Sequence, residues 1–186
     1  MTPETLSSVP PSTAAARPGP AVPARWSRRL ALGALCATAL QLAACSQSAA
    51  PVSTFVLLDG SQQTTQDLRG KVVLVNFWAT SCTTCVAEMP GLVETHQKYQ
   101  ARGYDTLAVA MSYDPPSYVV NFAETRKLPF KVAIDNTGAV AKAWGDVRIT
   151  PTTYLLNKRG DIVKTYVGAP DFTQLHQLIE KLLAES

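Results

Sequence analysis

The run "VVLVNFW", residues 72–78, constrains the fold more than any other stretch of this 186-residue chain. Six of its seven side chains are large and apolar. An unbroken apolar run of this kind marks a strand buried on both faces, in the middle of a sheet that helices cover from either side. The next residues, "ATSCTTCVAEMP", place Cys82 and Cys85 two residues apart. From Thr83 to Arg102, Val86, Met89, Leu92, Val93 and Tyr99 recur at helical spacing, and Gly103 stops the pattern. Pro90 falls inside that helix and is expected to kink it. A buried strand therefore empties into a CxxC pair at a helix start. The pair is a redox switch, half of a metal site or a structural staple, and the rest of the chain has to decide.

The remaining elements alternate. Phe55–Leu58, a turn at Asp59-Gly60 and a return through Gln62–Thr65 suggest a short hairpin before the buried strand. After the CxxC helix come a second buried strand (Tyr104–Ser112), a helix opened by Pro115-Pro116 and ending before Pro129, a third strand (Lys131–Asp135), and a short helix closed by Gly145. Thr152–Asn157, the turn "KRGD" and Ile162–Gly168 predict an antiparallel hairpin. A last helix begins at Asp171, a cap residue, and turns Phe172, Leu175, Leu178, Ile179 and Leu182 to one side. The expected fold is α/β: a central mixed sheet flanked by helices, preceded by a β-hairpin.

The first 54 residues read differently. Residues 1–24 hold six prolines and almost no large apolar side chains, so they are expected to be a disordered leader. Residues 25–44 have the layout of an export signal: Arg25, Arg28 and Arg29, then a 15-residue apolar stretch, Leu30–Ala44, ending in small residues. The stretch is shorter than the ~20 residues of a spanning helix, although an uncleaved anchor is the competing reading. "LAAC" (Leu42–Cys45) resembles a bacterial lipobox, which implies acylation of Cys45. Cleavage after an Ala-rich site without lipid is the alternative. Residues 45–54 are then a lipid-anchored tether, and 55–186 form one domain.

Charge follows the same division. Four basic residues and one acidic residue precede Cys45, which accounts for the whole net charge of +3. From Cys45 onward 13 basic residues balance 13 acidic ones, so the mature domain offers no electrostatic case for nucleic acid. Cysteine arithmetic narrows the opening question. Cys36 leaves with the signal and Cys45 carries lipid, so Cys82 and Cys85 remain as thiols in an oxidising compartment. A closed zinc site needs four ligands, and the only histidines, His96 and His176, are far away in sequence and expected to face solvent. No metal or cofactor is expected. At the helix start, unpaired backbone N–H groups and the helix dipole favour a thiolate at Cys82. Cys85, one turn in, is placed to resolve a mixed disulfide.

"KVVLVNFWATSCTTCVAEMPGL" resembles the TlpA/ResA-like branch of the thioredoxin superfamily, the membrane-tethered disulfide reductases. Asn76, Trp78, Cys82, Cys85, Glu88 and Pro90 carry the resemblance, together with "LLDGSQQTTQDLRGK" upstream and "ITPTTYLLNKRGDIVKTYVG" downstream. It extends over about residues 52–184. It implies a thioredoxin-like fold with a TlpA-type central insertion, a cis bond at Thr150-Pro151 facing the dithiol, and substrate pairing by Thr150. Two positions depart from the family: Ser81 stands where Trp is usual and Thr84 where Pro is usual, which leaves partner choice open. Hydroxyls of Thr83 and Thr84 are candidates to bond the Cys82 thiolate. Ordinary thioredoxins carry a buried Asp where this chain has Asn76, so Glu88 and Asp114 are the proton-transfer candidates.

The resemblance also implies a periplasm-facing reductase of client disulfides, acting in cytochrome c or metal-site assembly. A membrane electron donor of the DsbD/CcdA kind would recharge it, the lipid anchor would hold it at a bacterial membrane, and it is expected to be a monomer. A copper chaperone using the same thiols and a peroxiredoxin-like peroxidase are the alternatives. The first lacks Met or His ligands at the motif, and the second lacks the usual residues around Cys82.

Overall fold

The computed structural model describes residues 48–185. The expected leader, the signal and the lipidation site at Cys45 lie outside the described residues. Eight strands follow in chain order: β1 Ser48–Ala49, β2 Thr54–Val56, β3 Gln62–Thr64, β4 Val72–Trp78, β5 Tyr104–Ala110, β6 Lys131–Ile134, β7 Thr152–Leu156 and β8 Asp161–Val167. The helices are α1 Thr83–Tyr99, α2 Pro116–Thr125, α3 Ala139–Ala143 and α4 Phe172–Ala184.

The apolar run is the centre of the sheet. All seven residues of β4 are buried, and the six-stranded sheet runs β1-β8-β7-β4-β5-β6. β4 pairs parallel with β5 and antiparallel with β7, and β6 continues parallel beyond β5. Successive side chains of a strand point to opposite faces. Val72, Leu74 and Trp78 accordingly pack with Met89, Leu92 and Tyr99 of α1, Val119 of α2, and Leu175, Ile179 and Leu182 of α4. Val73, Val75 and Phe77 pack on the other side with Phe55, Leu68, Val140 and Trp144. Full burial of one such side chain is worth about 1.5–3 kcal/mol before conformational entropy is subtracted, so both layers hold β4 in place. Asn76 shares the α1 face with Leu74 and Trp78, a polar group where the pattern asks for an apolar one.

The hairpin forms as expected from β2 and β3 and attaches to the β6 edge through the Leu57–Ala133 bridge and the bond from Leu58 N to Val132 O at 3.1 Å. α2 and β6 extend the chain between β5 and α3, the place of the expected central insertion. α1 runs on through Pro90. Beside it, Gly91 lets α4 approach: a Cβ there would lie 2.5 Å from the Phe172 ring.

Three expectations are corrected. Residues 48–54 are part of the fold rather than a tether. β1 pairs with β8, Ala50 N bonds Gly160 O at 2.9 Å, and Ser53 Oγ accepts the Trp144 indole N–H at 3.0 Å. The backbone groups of β8 and a buried indole both demand partners, and this segment supplies them. The histidines do not face solvent. His96 is buried against Tyr104 and Phe130, and burial lowers its pKa although Asp105 opposes that shift. Half-buried His176 shares a 2.9 Å hydrogen bond with Thr95 Oγ1. Finally, α2 stops at Thr125, before the expected Leu128, with Lys127 at φ 50°. Pro129 disfavours helical geometry just ahead of it.

Candidate active site

β4 ends at Trp78, and four residues later Cys82 becomes the N-cap of α1. Its backbone is extended (φ −89°, ψ 105°), and its sulfur accepts the Cys85 N–H at 3.2 Å. An N-cap side chain ordinarily supplies oxygen for this bond; here a sulfur takes the orphan donor. The two cysteines form a disulfide with Cα atoms 5.2 Å apart. Cys82 is partly exposed and Cys85 is fully buried. Positive potential at a helix start favours anionic sulfur, so on reduction the outer cysteine is the one stabilised as thiolate.

The Thr150-Pro151 bond is cis. It brings Thr150 O to 3.5 Å from Cys82 Sγ, and Thr150 Oγ1 shares a 3.3 Å hydrogen bond with Tyr113 Oη. β7 begins directly afterwards, so this loop is anchored by the ladder to β4.

Both candidate acids are buried near the pair, in different environments. Glu88 lies one turn past Cys85 on α1. Asn76 Nδ2 donates to Glu88 Oε1 at 2.9 Å and to Thr153 Oγ1 at 2.9 Å. Glu88 Oε2 and Asn76 Oδ1 have no hydrogen-bond partner among the described residues. Desolvation pushes the Glu88 pKa up to about 7, and the Asn76 bond only partly opposes it. Asp114 takes Thr80 N on one oxygen and Thr80 Oγ1 on the other, each at 2.6 Å. It thereby ties the loop after β5 to the residue two before Cys82.

Other expected residues sort plainly. Trp78 is a core residue packed against Phe122, their ring centroids 5.1 Å apart and the rings tilted by 53°. Ser81, Thr83 and Thr84 are exposed. In the disulfide form the Cys85 N–H, and no threonine hydroxyl, reaches the Cys82 sulfur. Thr80, Tyr113 and Thr153 belong to the site, although sequence reasoning gave none of them a role there. Thr80 falls in the family-like stretch before the dithiol, and alternation from Pro151 turns Thr153 inward. Among the described residues no group of three or more His, Cys, Asp or Glu side chains gathers to hold a metal.

A sulfur that a partner can reach, backed by a sulfur that it cannot, is suited to taking up a disulfide and closing it internally. The fold and the site define a thiol–disulfide oxidoreductase of thioredoxin-like architecture. Comparison with known proteins makes this more specific: the family model "Redoxin" matches residues 46–179, and the chain belongs to that family. The thiol-disulfide oxidoreductase ResA of Geobacillus thermodenitrificans is 36% identical over 135 residues, 73% of this chain and 76% of that protein. A solution structure described as a thioredoxin of Neisseria meningitidis is similar at TM-score 0.70 and 41% identity, covering 75% of this chain and 93% of that one. The exposed lipoprotein thioredoxin of Streptococcus pneumoniae is similar at TM-score 0.62 and 25% identity, covering 70% and 99%.

Proposed function

We propose that this chain reduces disulfides of client proteins on the outer side of a bacterial membrane, held there by lipid on Cys45. One observation carries the reading: the partly exposed Cys82 sulfur caps α1 while Cys85 lies buried behind it. In the reduced protein the Cys82 thiolate attacks one client sulfur, the client disulfide breaks, and the departing client thiolate takes up a proton. Cys85 then loses its proton to the Glu88 carboxylate and attacks the Cys82 sulfur. The Cys82–Cys85 disulfide forms, and the second client thiolate leaves. Two electrons pass to the client. A membrane dithiol donor of the DsbD/CcdA kind returns them.

A Glu88 pKa of about 7 suits this exchange, because an acid near ambient pH both accepts and releases the proton readily. The lipid anchor draws support from the "LAAC" stretch and from the pneumococcal relative, which is itself a lipoprotein. Apocytochromes and metal-site assembly proteins are the clients proposed.

The test has two arms. Cys85→Ser is expected to trap a mixed disulfide between Cys82 and a client, and Cys82→Ser to trap none. The midpoint potential against glutathione is expected near the thioredoxin value of about −270 mV; a value near about −120 mV would make the protein an oxidant instead.

A further inference from the structure

We propose that Thr153 is a positioning residue for the exchange: its hydroxyl holds the Asn76 carboxamide so that an N–H of that amide faces the Glu88 carboxyl. The inference rests on Glu88 accepting the Cys85 proton, and it adds the residue that aims the group facing that acid.

Three elements meet at this point. Asn76 of β4 stands directly across the antiparallel ladder from Thr153 of β7, and both are fully buried. Glu88 approaches from α1. The amide has two N–H groups, and both are spent: one reaches Glu88 Oε1 and the other Thr153 Oγ1, each at 2.9 Å. On the other flank of Asn76 the ladder places Ala108, which offers no polar side chain. Among the described residues, Thr153 is the sheet's hold on this amide.

An amide can present either end to a carboxyl. Its N–H stabilises the ionised acid, whereas its oxygen can only accept from the protonated acid. With Glu88 ionised, only the first orientation satisfies the carboxylate, and Thr153 Oγ1 takes the second N–H. Without that oxygen, a buried N–H is stranded in the very orientation that the ionised acid needs. Thr153 lies two residues past the cis bond at Pro151. The strand that starts at the client loop thus reaches the proton acceptor through one carboxamide.

No other charge explains the behaviour of Glu88, whose proton affinity is raised by burial and lowered by the amide. Cys85 of its own helix titrates only once the disulfide is reduced. Tyr166 of β8, across the ladder from Thr153, is a phenol that burial holds above its ordinary value and so neutral. His176 of α4 meets α1 at Thr95, and Asp114 after β5 is taken up by Thr80.

The test compares wild type with Thr153→Val, which keeps the branched shape without the hydroxyl, and Thr153→Ser, which keeps the hydroxyl. Thr153→Ala is a second hydroxyl-free variant. Two readouts are followed between about pH 5 and about pH 9. One is the Glu88 carboxyl-carbon NMR signal of the oxidised protein, assigned with Glu88→Gln. The other is stopped-flow reaction of the reduced protein with dithiobis(nitrobenzoate). There, Cys82 attack releases one thionitrobenzoate, and Cys85 attack on the Cys82 sulfur releases the second, so the second phase times the proton-linked step. Thr153→Val is expected to raise the Glu88 midpoint and the second-phase inflection together by about one pH unit, slowing that phase about fivefold at pH 7. The first phase and the high-pH limit should stay within about twofold. Thr153→Ser is expected to restore both readouts. A Glu88 midpoint that stays in place in Thr153→Val and Thr153→Ala overturns the inference, and a rate lowered equally at every pH would make Thr153 a packing residue. A midpoint that moves while the second phase keeps its inflection refutes Glu88 as the proton acceptor and leaves Thr153 no part in the exchange.

Discussion

Glu88 and Asp114 are both almost wholly out of water, 4% and 2% exposed, yet their oxygens find very different partners. Asp114 spends both oxygens on one residue, Thr80, and so fixes the approach to the dithiol. Glu88 has one oxygen on Asn76 and leaves the other without a partner. A buried carboxylate with too few donors holds its proton, and its pKa rises to about 7. The difference teaches that burial alone does not fix a carboxyl's surroundings: two equally buried side chains differ in how many donors meet their oxygens.

The largest expected effect falls on the anchor. Asp114→Ala strands a backbone N–H and a hydroxyl, and denaturant unfolding of the oxidised protein should show a loss of about 3 kcal/mol. In Asp114→Asn the pH dependence of thiol exchange should keep its inflection near neutrality; loss of that inflection would turn the anchor into a proton carrier and break the contrast. Second is the stability of the folded protein against pH. Glu88 ordinarily titrates at 4.5 and in the fold at about 7, so the folded chain keeps a proton that the unfolded chain has lost. Its contribution is complete below about 4.5 and disappears as pH rises to about 7, by about 3 kcal/mol. Glu88→Gln should remove that slope, read as the difference between the two proteins.

Third, Glu88→Gln should slow resolution of the mixed disulfide by Cys85 about tenfold at pH 7 and flatten its pH profile. An unchanged profile would move the proton elsewhere. The smallest effect is Thr80→Ala, which removes one of the two Asp114 bonds and should cost about 1 kcal/mol with no change in the exchange profile.

The sequence was most readable where short-range pattern and chemistry coincide. An unbroken apolar run announces a central strand, and CxxC at a helix start announces its own chemistry. Pro151 and Glu88 came through resemblance, and the structure puts both at the site. Partners contributed from afar stayed hidden. Asn76 meets Thr153 across 77 residues and Asp114 meets Thr80 across 34, and the local sequence names neither partner: alternation after Pro151 turns Thr153 inward but does not say what it meets. His96 misled because its helical neighbours are polar, while the rings that cover it, Tyr104 and Phe130, come from other elements. Residues 48–49 are too few to show any alternation.

That two-residue strand has a consequence for handling the protein. β8 lies next to the end of the sheet, and among the described residues its only other neighbour is β7. Ser48 and Ala49 shield its Asp161 and Ile162 from outside pairing. A version trimmed to begin at residue 50 would uncover that row of amides and carbonyls, a ready template for a second molecule to add itself edge to edge. Shortened forms should therefore be watched for self-association that the longer chain resists.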